Sequence, residues 1–177
     1  MNVNGSTALP TTMSKVIVIG SGIAGLFAAL RLDEAGHDVV IITKQRPKDS
    51  STNWAQGGIA GILDKTDGEG KKAHIRDTIS CGDGLCNEDI VKCVVEDAGD
   101  RIRDLLSIGV DFEKEGDEFH LVKEGGHSTR RILHAKDATG AEIERALTDA
   151  VASSERITLH PHTLGVDLIQ RVHGSPE

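Results

Sequence analysis

The chain has 177 residues, enough for one domain with a real core. Lys plus Arg total 20 and Asp plus Glu total 28, a net charge of -8, which argues against a general nucleic-acid binder because such a protein needs a basic face. No stretch approaches transmembrane length, and the opening "MNVNGSTALPTT" lacks the basic and apolar regions of a secretory signal.

Residues 1–12 are expected to form a flexible leader, with Met13 as a second start. Lys15–Ile19, "KVIVI", reads as a buried strand ending in glycine. Ile23–Ala35 carries Leu26, Phe27 and Leu30 at helical spacing and stops at Gly36. Asp38–Thr43 is a second apolar strand, so the order strand–helix–strand predicts a parallel βαβ unit and an α/β fold. Residues 44–70 lack helical periodicity and read as a long loop, a length that usually serves function.

A short helix is expected over Lys72–Ser80, and Asn87 caps the next one. That helix has Ile90, Val91, Val94, Val95, Ala98, Ile102, Leu105 and Leu106 on its apolar face and ends at Gly109. "VDFEKEGDEFHLV" reads as a hairpin around Gly116, with the acidic run Glu113–Glu118 as its solvated tip. "TRRILH" is extended, Gly140–Ser153 is helical, and Ile157–His160 and Gly165–Val172 read as strands. Cys81, Cys86 and Cys93 match no zinc or iron–sulfur spacing, so reduced thiols of a cytoplasmic protein and no metal are expected.

Chemistry begins at Gly20-Ser21-Gly22-Ile23-Ala24-Gly25, which fits G-x-G-x-x-G between a strand and a helix. In that place Gly20 permits a tight turn, Gly22 lets a pyrophosphate approach the backbone, and Gly25 lets the helix pack on the strand. The second strand ends near Thr43 and Lys44 rather than in the acidic residue that usually binds ribose. Lys44 could meet a 2′-phosphate, implying NADP, or be a solvated surface lysine.

The loop "STNWAQGGIAG" at 51–61 carries no charge and holds the only tryptophan. A flavin ring needs extra walls with neutral donors and acceptors, and small residues that let backbone lie against it. This loop has that chemistry.

"GSGIAG", "STNWAQGG", "GDGLCNEDIV" and "HLVKEGGHSTRRILHAKDATG", in this order, resemble the L-aspartate oxidase family of the succinate dehydrogenase and fumarate reductase flavoprotein superfamily. The resemblance runs from about Val16 to the end. It implies that residues 13–177 are the N-terminal part of a Rossmann-like FAD-binding domain, with the family's capping and helical domains absent. It places non-covalent FAD on Gly20, Ser21, Gly22, Ile23, Ala24, Gly25, on Lys44, on Ser51, Thr52, Asn53, Trp54, Ala55, Gln56, Gly57 and Gly58, and on Leu164 and Gly165 at the adenine side. Ser51 stands where membrane-linked relatives have a flavin-bonding histidine. Glu124 stands where succinate dehydrogenases have an apolar residue, and the resemblance gives it the task of orienting the α-ammonium of L-aspartate.

The implied reaction passes hydride from aspartate to FAD and yields iminoaspartate, with oxygen or fumarate as electron acceptor. It feeds quinolinate and NAD synthesis, which implies a functional link to quinolinate synthase. The family's catalytic arginine lies beyond the point matching Glu177, so no catalytic residue is expected within the chain and the chain alone is expected to be inactive. His127, Arg130 and Arg131 either hold dicarboxylate or tie their segment to acidic neighbours, and His134 with Asp137 could form a local polar pair. Two alternatives stand beside this reading: a succinate or fumarate flavoprotein fragment, and a non-catalytic dinucleotide-binding module.

Overall fold

The computed structural model describes residues 15–169. The expected leader at 1–12, Met13 and residues 170–172 of the last expected strand lie outside the described residues.

The first unit is strand β1 (Lys15–Ile19), helix α1 (Ile23–Glu34) and strand β2 (Asp38–Ile42). β1 and β2 run parallel with Val16 opposite Val39 and Val18 opposite Ile41. α1 closes through Ala35, and Gly36 takes φ +87°, which turns the chain back into the sheet. The helix lays Leu26 and Ala29 on the sheet beside Val39 and Ile41, all buried.

The expected loop at 44–70 holds more structure than its pattern suggests. Ile59–Ala60 forms a short strand, β3. Helix α2 starts at Gly68 and runs to Cys81, a turn earlier than predicted, because Asp67 caps it by accepting the Gly70 N–H at 2.7 Å. The cap offsets the poor helix propensity of Gly68 and Gly70.

Helix α3 (Glu88–Ile108) begins as read, with Asn87 Oδ1 accepting the Asp89 and Ile90 N–H groups, and ends at Gly109 in the left-handed region, φ +98°. Its apolar face is narrower than expected. Val95, Ile102 and Leu105 are buried, but Ile90 and Val94 face solvent, because α2 covers only part of the stripe. Strands β4 (Lys114–Glu115) and β5 (Glu118–Phe119) make the hairpin around Gly116. Strand β6 (Ile132–Leu133) pairs antiparallel with β3, Ile59 opposite Leu133.

Helix α4 (Thr139–Ser153) buries Ile143, Ala146, Leu147 and Val151 against α1, and strand β7 (Ile157–His160) joins β2 in parallel to give the sheet order β1-β2-β7. Two expectations fail here. Ile17 and Ile19 are each 63% exposed, because α1 covers one face of the sheet and no described element covers the other side of β1. Residues 165–169 form no strand: the chain leaves β7 by a turn at 161–163 and crosses the sheet end, where no described strand offers a pairing edge.

Candidate functional site

Between β1 and α1 the backbone must turn sharply, and Gly20 does so at φ +106°. Its N–H donates to the Ile42 carbonyl at 2.8 Å, which pins the turn to the end of β2. Gly25 faces that turn. A Cβ there would fall well inside 3.0 Å of the Gly20 carbonyl oxygen, so only glycine lets the helix start this close to the strand. Gly22 is the N-cap of α1 and offers no side chain to its first turn. The Thr52 hydroxyl accepts the Ile23 N–H at 3.0 Å, which ties the loop after β2 to the helix start.

The buried Ser21 hydroxyl donates to Thr43 Oγ1 at 2.9 Å, joining the glycine turn to the end of β2. Past β2, Lys44 is exposed and carries no ion pair among the described residues. Arg46 binds Asp49 through two side-chain bonds of 2.9 and 3.1 Å, and this holds the Asp49 carboxyl below its ordinary range. After β7, Thr163 N–H donates to the Thr43 carbonyl at 2.9 Å, so residues 163–165 lie over the ends of the strands.

These segments enclose an open cleft of about 410 Å³ lined by Gly20, Ser21, Gly22, Lys44, Ser51, Thr52, Leu164 and Gly165, with Asp49 at its edge. Its volume falls in the range of small-molecule sites. Eight of the expected residues are thus together. Ile23, Ala24 and Gly25 lie behind the turn in α1. Asn53 and Trp54 instead line a second cavity of about 520 Å³ with Arg46 and Lys48, and Trp54 is 73% exposed. Ala55 accepts the Gly140 N–H at 3.0 Å, and Gln56 and Gly57 are exposed. A Cβ on Gly58 would collide with Ile132 and the Leu133 carbonyl, so this glycine sets how tightly the loop meets β6.

Glu124 reaches the same loop from 66 residues away, its Oε1 accepting the Gly58 N–H at 3.4 Å. His127 N–H donates to the Glu124 carbonyl, closing the turn at 124–127. Arg131 is fully buried and donates to Asp77 Oδ2 at 2.7 Å and to Thr129 Oγ1 at 2.8 Å. It ties its segment to an acidic neighbour and does not face the cleft. Asp77 also accepts both the Ser128 N–H and hydroxyl at 2.7 Å, and these bonds, with Arg131, hold its carboxyl far below the usual range. Arg130 is exposed. His74 packs its ring 5.6 Å from that of His127, and burial, then the Arg131 charge, lowers its basicity.

The His134–Asp137 pair that the sequence allows does not form among the described residues. His134 turns instead to His120 and Glu113, because Glu113 N–H donates to the His134 carbonyl and brings the two segments side by side. Gly140 and Glu144 also escaped sequence reading. A Cβ on Gly140 would strike the Thr52 carbonyl and Ala55, so α4 braces the 51–58 loop. Glu144 is fully buried; burial raises its carboxyl above the ordinary range, and the nearby Ser50 hydroxyl offsets this only in part without completing a hydrogen bond. A glycine in a helix's first turn was the only available signal for the first, and nothing in the helical pattern marked the second.

A glycine turn feeding a helix from a parallel strand, with a polar loop and a crossing segment closing one cleft, defines a dinucleotide-binding α/β domain. The FAD binding domain family matches residues 15–175, and the chain belongs to it. FAD is therefore the cofactor this fold implies. Among known proteins, L-aspartate oxidase from Streptomyces coelicolor is 44% identical over 161 residues, 90% of this chain and 27% of that protein. The chloroplastic L-aspartate oxidase of Oryza sativa subsp. japonica is 44% identical over 154 residues, 86% of this chain and 23% of that protein. The Mycobacterium smegmatis Sdh1 complex in the apo form superimposes with a TM-score of 0.77 at 29% identity, over 84% of this chain and 27% of that one. The FrdA chain of an E. coli quinol fumarate reductase variant gives 0.78 at 26% identity, over 84% and 26%. The chain spans about a quarter of the length of the relatives it matches. No described helix is long and apolar enough to cross a membrane.

Proposed function

We propose that this chain is the FAD-holding segment of an enzyme that oxidises L-aspartate to iminoaspartate and so feeds quinolinate and NAD synthesis. The observation that carries the proposal is the meeting of Glu124 with Gly58 at the end of the neutral loop whose beginning, Ser51 and Thr52, lines the glycine cleft. The identity of 44% to proteins named L-aspartate oxidase supports the same substrate.

The residues fit FAD. Gly20 and Gly22 leave space that a side chain would fill, and the nearest atom to a Cβ on Gly22 is Thr52 Oγ1 at 3.4 Å. A diphosphate can approach the N-terminus of α1 there, where the helix dipole favours negative charge. Lys44 adds a cation at the cleft. Gly165 and Leu164 offer backbone to the adenine side, and Ser51 and Thr52 begin the neutral loop, running to Gly58, that would wall the flavin, while Asn53 and Trp54 face the neighbouring cavity. When bound, FAD supplies the two-electron acceptor. Ser51 offers no ring nitrogen for a covalent link. Glu124 presents a carboxylate that can pair with the α-ammonium of aspartate and orient its α-carbon.

Oxygen or fumarate as acceptor, a functional link to quinolinate synthase, and a cytoplasmic setting belong to the proposal; the three free cysteines fit the last. A succinate or fumarate flavoprotein is the competing reading, supported by the solved structures at 26–29% identity. The purified chain should be precipitated with acid and flavin absorbance measured in both fractions. Flavin in the supernatant is expected. Flavin in the pellet means a covalent bond and favours the competing reading, and flavin in neither fraction removes FAD binding from the chain as it stands.

A further inference from the structure

Glu113, His120 and His134 come from three segments, before the β4–β5 hairpin, after it, and after β6. One potential ligand atom from each lies within 4.8 Å of the other two, and all three residues are half-buried. His120 Nδ1 and His134 Nε2 are 3.0 Å apart, and the other ring nitrogen of His134, Nδ1, lies 3.8 Å from Glu113 Oε2. The backbone holds the three in place. Glu113 N–H donates to the His134 carbonyl at 2.8 Å, and His120 N–H donates to the Glu113 carbonyl at 3.0 Å. Glu113 Oε1 accepts the Lys136 N–H at 2.9 Å, so its carboxylate is oriented as well.

From this geometry we propose that Glu113, His120 and His134 bind a divalent first-row transition metal ion of the zinc class. Two imidazoles and one carboxylate are the donors such ions take, whereas magnesium and calcium prefer oxygen alone. An ion 2.0–2.1 Å from both ring nitrogens at their present spacing would see them at about 94°, and ring shifts of a few tenths of an ångström reach the tetrahedral angle. Of the three, Glu113 also lines the cavity of about 540 Å³ that reaches Asn53 and Lys136, so the carboxylate side of the cluster borders open space. The ion would clip the hairpin to the segment after β6. The site stands apart from the glycine cleft and does not depend on the FAD reading.

The test uses the 177-residue chain stripped with a chelator and titrated with Co²⁺, whose visible absorption reports coordination. One equivalent of Co²⁺ should bind with tetrahedral-type absorption, be displaced by Zn²⁺, and raise the thermal midpoint. His120→Ala and His134→Ala should each weaken binding at least tenfold, while His162→Ala, an exposed histidine away from the cluster, leaves it unchanged. Glu113→Gln keeps an oxygen for the Lys136 N–H and should weaken binding with the circular dichroism spectrum intact. If the folded wild-type chain shows no Co²⁺ absorption, or if binding survives in the folded Glu113→Gln and His120→Ala chains, the three side chains are a polar clip of the hairpin and the proposal is overturned.

Discussion

Gly25→Ala and Gly22→Ala, three residues apart in one motif, should fail in different ways. At position 25 the new methyl meets the Gly20 carbonyl oxygen well inside 3.0 Å and the Gly20 carbonyl carbon at 3.0 Å. Neither atom can rotate away, because Gly20 is bonded to Ile42 and fixed at φ +106°. Helix α1 must then lift from the turn by a distance on the order of an ångström, disturbing Leu26 and Ala29 in the core. Overpacking costs about 1–3 kcal/mol or more, and a rigid backbone partner puts this case at the upper end. Alanine returns about 1 kcal/mol of helix propensity. The net loss is about 2 kcal/mol, a fall in midpoint of about 4–8 °C for a chain of this size. At position 22 the backbone, φ -75° and ψ 178°, suits any residue, and the nearest atom is 3.4 Å from the methyl. Stability should change by less than about 1 kcal/mol. On the proposed function the methyl stands where the diphosphate approaches, so FAD affinity should fall at least tenfold. Calorimetry measures the first quantity and quenching of flavin fluorescence the second. A Gly25→Ala chain as stable as the parent would refute the packing argument, and a Gly22→Ala chain with parental FAD affinity would refute the placement of the phosphates.

The Asp77 carboxyl is held far below its ordinary range by the Ser128 N–H and hydroxyl and by Arg131. A depressed carboxyl contributes stability above its unfolded value, near pH 4, and loses it as pH falls toward the folded value; Asp77→Asn should therefore flatten the acid limb of a plot of thermal midpoint against pH, and an unchanged limb would count against the network. Glu144 is the opposite case, a carboxyl raised first by burial. Its charge destabilises the fold once pH exceeds the unfolded value, so Glu144→Gln should raise the midpoint at pH 7 and leave it unchanged at pH 3; a drop at pH 7 would show that the charged form is needed. On the proposed function, Glu124→Gln in an enzyme of the relatives' full length should raise KM for aspartate about ten- to a hundredfold, the worth of one charge-assisted hydrogen bond, and leave any succinate turnover unchanged. Equal losses with both substrates would assign Glu124 to loop structure through Gly58.

What the sequence disclosed was local. The glycine motif, the Asn87 cap, the Gly109 stop and the Gly116 hairpin each rest on residues within a few positions of one another, and each is present as read. What it concealed depended on contacts across the chain. "KVIVI" has the composition of a strand covered on both faces, yet among the described residues no element packs on the face of β1 that carries Ile17 and Ile19. Residues 165–169 have strand-like composition, but a strand exists only where a neighbour supplies hydrogen bonds. The same limit governs the candidate site. Ser21, Lys44 and Thr52, marked by the glycine motif, the end of β2 and the uncharged loop, do line one cleft, whereas nothing in the sequence sets Asp77 apart from the other charges of α2, and its partners come from the 128–131 segment. Sequence proximity allows His134 a pairing with Asp137, but His134 meets Glu113 and His120 because a backbone bond from Glu113 aligns two distant segments. A side chain's partner follows from which backbones lie together, so polar clusters built from three segments are the last features a sequence reveals and the first to look for in a fold.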